Sequence, residues 1–302
     1  MVSGRTFDSR PCDSGVIVMT AQDRPNERAW RVFPAPPKDF APFAATPEDL
    51  RRHGLPQRPD PRAQPGLAAL WDTCARRYHG FEHLDPQIQP SASRPSPRPA
   101  ELSPIENCGY SLNSSAPFTA LFIHWTVPDL VYTPSPLNQN FFHTFVEIAF
   151  FADVHVQMSV DAAQHVTSEV TVNGAPVNLP VTPGDAMSAV MCINTQPSGS
   201  TVFCGVANET RGQTVNLSTT NPPGLNPVSI DAGITLDLID NNPTLNKLPR
   251  FGVVYFDEIS AYTTAGTRSL TAGDPVTLTD LNGTTLATPV RLNDSAFKTV
   301  YE

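Results

Sequence analysis

The chain has 302 residues, with 20 Lys/Arg against 29 Asp/Glu and a formal net charge of −9. Its 32 prolines are about twice the ~5% of an average protein, and 17 of them fall in residues 1–106. Residues 107–302 hold 6 basic and 16 acidic side chains, which speaks against a nucleic-acid surface or a polybasic membrane anchor, and no run approaches the ~18–20 apolar residues of a membrane span.

The first segment, residues 1–45, is polar, broken by proline and without period, and reads as disordered or loosely packed. It opens without the apolar stretch of a secretory signal, so the expected compartment is cytoplasmic. Met19, after the apolar Val16-Ile-Val, is an alternative start to Met1. Residues 46–85 read as a short helical extension. Thr46-Pro-Glu-Asp-Leu50 supplies an N-cap, a proline at the first helical position and acids in the first turn, and Gly54 ends that helix. Pro65 opens a second helix to about Tyr78, with Leu67, Leu70, Trp71, Cys74 and Ala75 on one face. Residues 86–106 are a Pro/Ser/Arg-rich linker.

From Asn107 the texture changes. Short apolar or alternating runs recur between Gly, Pro and Asn: 118–127, 145–151, 154–160, 186–193, 201–206, 234–239 and 252–256. Many short strands at near-regular spacing predict an all-β sandwich or barrel over 107–302. Five cysteines (12, 74, 108, 192 and 204) show no C-x-x-C and no His/Cys cluster at ligand spacing, so no metal and no cofactor are expected. If the runs holding Cys192 and Cys204 form a hairpin, the thiols could face each other; the commoner reading is two small buried hydrophobes. His143, His155 and His165 fall in or beside strands without an i, i+2 pair and read as partly buried polar side chains.

Phe118-Thr-Ala-Leu-Phe-Ile-His-Trp-Thr-Val-Pro128 resembles the F-x-x-V-x-G-x-W-T-V-P strand of the glutamic peptidases (eqolisins). Asn107-Cys-Gly109 stands where that family has N-W-x-G. Leu179–Asp185 resembles its V-x-P-G-D turn, Asn208–Gly212 its N-x-T-x-G, and Leu248–Gly252 its L-P-x-F-G strand. The Gly54–Pro61 segment, followed by Trp71, is similar to the extension of bacterial relatives. The resemblance implies a concanavalin A-like double β-sandwich with an active site on a concave face, preceded here by a Pro-rich, partly helical extension.

Family chemistry uses a Gln–Glu pair, the Glu as general base and then acid, the Gln orienting water and donating to the oxyanion. By the resemblance Gln157 takes the Gln position, and Trp125 and Phe145 are groove residues. Laying Leu236-Asp-Leu-Ile-Asp240 on E-W-I-x-E puts Leu236 at the position of the Glu and Asp240 at the second acid. Leucine cannot take a proton. A shift of one residue brings Asp237 to the site but turns every neighbour to the other face; Asp237 and Glu169 are therefore fallback bases. The stretch Phe145–Phe150 also lacks the glycines and Asp of the family's W-x-G-I-D-G. Three readings stand: a degenerate pseudoenzyme that binds a peptide or other extended ligand, a working acid endopeptidase with a different base, or other chemistry in the same groove. The first is preferred. It expects Leu236 to face Gln157 from a neighbouring strand, and Leu236→Glu to restore some activity.

Overall fold

The computed structural model describes residues 18–19, 30–87, 106–237, 239 and 244–302. The expected linker falls outside these residues except at its ends, as does Asp240, the expected second acid.

In chain order the described elements begin with strands β1 (Val18–Met19) and β2 (Trp30–Val32), helices α1 (Pro47–Arg52) and α2 (Pro65–Arg77), and strand β3 (Glu82–His83). Thr46 caps α1 as its sequence predicts. Its hydroxyl accepts from the Asp49 N–H while the Asp49 carboxylate accepts from the Thr46 N–H, both at 3.2 Å, a reciprocal capping box. Gly54 ends the helix at φ +66°, with the Phe33 ring lying where a β-carbon would go, so only glycine serves there.

The sandwich follows as β4 (Asn107–Asn113), β5 (Phe118–Thr126), β6 (Gln139–Ile148), β7 (Ala152–Asp161), β8 (Val166–Val172) and β9 (Ala175–Val177). It continues with β10 (Ala186–Gln196), β11 (Gly199–Asn208), β12 (Gln213–Asn221), β13 (Ser229–Leu236) and β14 (Val253–Thr263). The last strands are β15 (Gly266–Arg268), β16 (Gly273–Val276), β17 (Leu278–Thr279), β18 (Thr285–Asn293) and β19 (Ala296–Tyr301). Between 107 and 302 the one helical element among the described residues is the turn Leu270–Ala272.

Two sheets stack. The first runs β1-β2-β12-β11-β10-β5-β14-β19-β18-β17, with β3 beside β12 and β15 beside β14; the second runs β16-β4-β13-β6-β7-β8-β9. Side-chain alternation sorts each strand between faces. Leu121, Ile123 and Trp125 of β5 meet Phe142, Val146, Val154, Val156 and Met158 of the second sheet in one buried core. Trp125 therefore lies between the sheets and not in a groove: it is fully buried and its indole N–H donates to the Thr144 hydroxyl at 3.0 Å. Position parity on β5 decides this, because Ala120 and Phe122 take the opposite face.

That opposite face is covered by α2. Leu70 packs on Ala120, Phe122, Val190 and Phe203, with Leu67, Cys74 and Tyr78 beside it. Arg77 ties down the helix end: it pairs with Glu209 at 2.6 Å and with Glu258, and lies over the Phe122 ring at 5.3 Å.

One expectation changes, and one open alternative is decided. Trp30–Val32, in the stretch read as loosely packed, pairs with Leu217–Thr219 of β12, since an unpaired strand edge accepts any extended segment that reaches it. Cys192 pairs across from Phe203 while Cys204 pairs across from Met191. The two thiols therefore point to opposite faces, and burial pushes both up to about 12.

Candidate active site

Two of the five stretches that carry the family resemblance meet in a way their spacing does not show. Asp185 Oδ2 accepts from the Thr182 N–H at 2.8 Å, Asn208 Nδ2 at 2.7 Å and Arg211 Nε at 3.1 Å, so the Leu179–Asp185 turn and the Asn208–Gly212 turn are one hydrogen-bonded unit. These donors hold the Asp185 carboxyl below the usual carboxylate range against the opposing effect of its burial. Gly109 and Gly233 stand directly opposite each other on β4 and β13. A β-carbon on Gly233 would sit 2.2 Å from the Cys108 carbonyl oxygen, and one on Gly109 2.0 Å from that of Ala232. Backbones this close exclude any side chain, which accounts for the glycine of Asn107-Cys-Gly109.

The register of the second sheet then lays out the face turned away from the core. Thr235 of β13, His143 of β6, Gln157 of β7 and Glu169 of β8 form one cross-strand row. The next row holds Gly233, Phe145, His155 and Thr171. Beyond it lie Asp231, Glu147 and Asp153.

Leu236 is not on this face. It pairs with Phe142, which pairs with Met158, and all three side chains are buried in the core. The expectation that Leu236 faces Gln157 is therefore corrected. A period of two sends Leu236 inward and the residue after it outward. Asp237 is the residue that comes to the Gln157 face, with its Oδ2 2.9 Å from His143 Nε2.

Around Gln157 the contacts are polar. Its amide Nε2 donates to Thr171 Oγ1 at 3.3 Å, Glu169 stands across from it exposed, and His143 stands across on the other side. The His143 and His155 Nδ1 atoms are 3.4 Å apart, and His155 Nε2 lies 3.5 Å from Asp153 Oδ1. Phe145 shares this face but is buried, its ring stacked on His155 at 5.8 Å between centroids. The result is an Asp237–His143–His155–Asp153 chain of side chains running past Gln157.

Glu106 closes the end of the face beside Asp237. Its carbonyl accepts from the Leu236 N–H at 2.7 Å, and burial, then the Asp237 charge, raise its carboxyl above the ordinary range. Among the described residues no group of three or more His, Cys, Asp or Glu is arranged to hold a metal ion.

Neither the two histidines, which read from sequence as partly buried polar side chains, nor Glu106 stands out as a site residue along the chain. The two histidines are twelve residues apart and meet only because β6 and β7 form a hairpin. The signal available was their parity with Gln157 once the turn at 149–151 is placed.

A model of the family described as the Peptidase A4 family matches residues 106–301. Solved structures of similar fold include scytalido-glutamic peptidase with a peptide-based transition state analog (14% identity, TM-score 0.52). SCP-B, a member of the eqolisin family in complex with the tripeptide Ala-Ile-His, is similar at 15% identity and a TM-score of 0.51. Each alignment covers 65% of this chain and 98% of the other. No curated protein sequence matches the chain.

Proposed function

The chain belongs to the Peptidase A4 family, and we propose that it binds peptides in extended form across the Gln157 face of the second sheet without hydrolysing them. The observation that supports this reading is the position of His143. Adjacent strands are ~4.8 Å apart, so β7, which carries Gln157, and the segment carrying Asp237 are separated by about two such spacings, with β6 between. The His143 imidazole stands in that interval and takes the Asp237 carboxylate at 2.9 Å. A water that must touch both a Gln amide and a carboxylate meets the ring instead. General-base help is worth roughly 10²–10⁴-fold and an oxyanion donor roughly 10²–10³-fold, so Gln157 by itself leaves little above background.

Peptide is the ligand class supported by family membership and by the tripeptide in the SCP-B structure. Gln157, Thr235 and Glu169 offer donors and acceptors in one row. The test is hydrolysis of denatured protein at pH 2 to 7, together with calorimetric titration of Ala-Ile-His. Expected are no cleavage and measurable binding that weakens in Gln157→Ala.

One observation favours a second reading, an acid endopeptidase using Gln157 and Asp237. Asp237 shares the Gln157 face, and burial, then the Asp237 charge, shifts the Glu106 carboxyl beside it upward, the direction an acid needs to act as proton donor. Cleavage by the wild type that is lost in Asp237→Asn would establish it and overturn the first.

A further inference from the structure

On the opposite side of the sandwich, between the N-terminal extension and the first sheet, lies a cavity of about 820 Å³. We propose that it is a binding site for a single-chain anionic amphiphile, in its simplest form a medium-chain carboxylate. Ligand pockets run to roughly 300–1,000 Å³, mostly apolar with a few placed polar groups, and this one fits on both counts.

Its floor is one cross-strand row of the first sheet: Arg31, Ser218, Phe203, Cys192 and Ala120 pair in turn across β2, β12, β11, β10 and β5. Its roof is the apolar side of the extension, with Leu50, Leu55, Leu67, Leu70 and Trp71. An alkyl chain laid along this row meets carbon on both sides, and burying it is favourable by about 0.8 kcal/mol per CH₂.

Charge selects the head group. The chain is strongly acidic, yet among the described residues the cavity is lined by no Asp or Glu and by three arginines, Arg31, Arg51 and Arg58. Two of these are engaged: Arg58 with Asp72 at 2.7 Å and Arg51 with Glu48. Arg31 makes no ion pair among the described residues and lies over the Phe33 ring at 4.9 Å. It stands at the end of the row, opposite Ser218. A carboxylate there gains a guanidinium fork and a neighbouring hydroxyl. His83, also in the lining, adds no competing cation near neutral pH, since burial lowers it to about 4.

The test is titration calorimetry of the full-length protein with decanoate and with decyltrimethylammonium, both below their micelle concentrations. One decanoate per chain is expected, at least tenfold tighter than the cation. Arg31→Gln should weaken decanoate at least fivefold and leave the cation no weaker, narrowing the gap between the two probes. Cys192→Trp, which fills the floor, should abolish decanoate binding; if that variant fails to fold, Ala75→Trp fills the cavity from the roof. Equal affinity for the two probes, no binding of either, or decanoate binding indifferent to Arg31→Gln and the filling variant overturns the proposal.

Discussion

Asp185→Ala is expected to destabilise the sandwich by about 3–5 kcal/mol. The side chain is 7% exposed, and its Oδ2 is the common acceptor for Thr182, Asn208 and Arg211. Removing it does not orphan every donor. Asn208 Nδ2 keeps the Pro180 carbonyl at 2.9 Å, and Arg211 keeps the Thr182 hydroxyl at 2.8 Å and reaches solvent. The part-buried Thr182 N–H loses its acceptor and the buried Asn208 Nδ2 loses one of its two, at ~1–3 kcal/mol for each group left short. An unpaired but partly exposed Arg211 adds under ~1 kcal/mol. For a domain of this size each kcal/mol moves the melting point by about 2–4 °C, giving a fall of roughly 6–20 °C. Asp185→Asn retains an acceptor and should cost about half as much, since charge-assisted bonds are roughly twice as strong as neutral ones. The effect has a pH signature. The folded-state carboxyl is depressed, so its stabilisation is complete above the unfolded value near ~3.9 and disappears as pH falls through the folded value. Urea unfolding at pH 7 and at pH 3 reads both: the gap between wild type and Asp185→Ala must narrow in acid. A cost below ~1 kcal/mol at pH 7, or a gap that does not change with pH, refutes the reasoning.

Leu236→Glu should not restore activity but unfold the domain, because it buries a carboxylate in the core at a cost of several kcal/mol; circular dichroism checks this. Gly233→Ala should cost about 1–3 kcal/mol in urea unfolding, since its methyl meets the Cys108 carbonyl and not a movable side chain. Arg77→Ala should loosen α2 from the sheet, seen as faster proteolysis within residues 46–85 at unchanged sandwich melting. Cys108 and Cys204, both raised to about 12 by burial, should not react with a thiol reagent at pH 8 until the protein is unfolded, because the thiolate is the nucleophile.

Local chemistry was legible from the residues themselves. The α1 capping box, the proline start and apolar stripe of α2, and the change at Asn107 to short strands each follow from side-chain properties within a few positions. The turn of Leu179–Asp185 could be read because Asp185 meets a demand within its own turn, whereas the glycine at 109 answers to the distant backbone of Ala232. Which face each strand residue takes was another matter. It depends on parity, and a slip of one position exchanges the two faces; Leu236 and Asp237 are adjacent in the chain but lie on opposite sides of the second sheet. Trp125 went inward for the same reason. The pairing of His143 with Asp237 joins residues 94 positions apart, and the cavity beside Arg31 joins the N-terminal extension to strands as distant as the one holding Ser218. Strand order and register bring such residues together, and both are settled by how the two sheets and the extension bury their apolar faces at once. No local stretch of sequence carries that information.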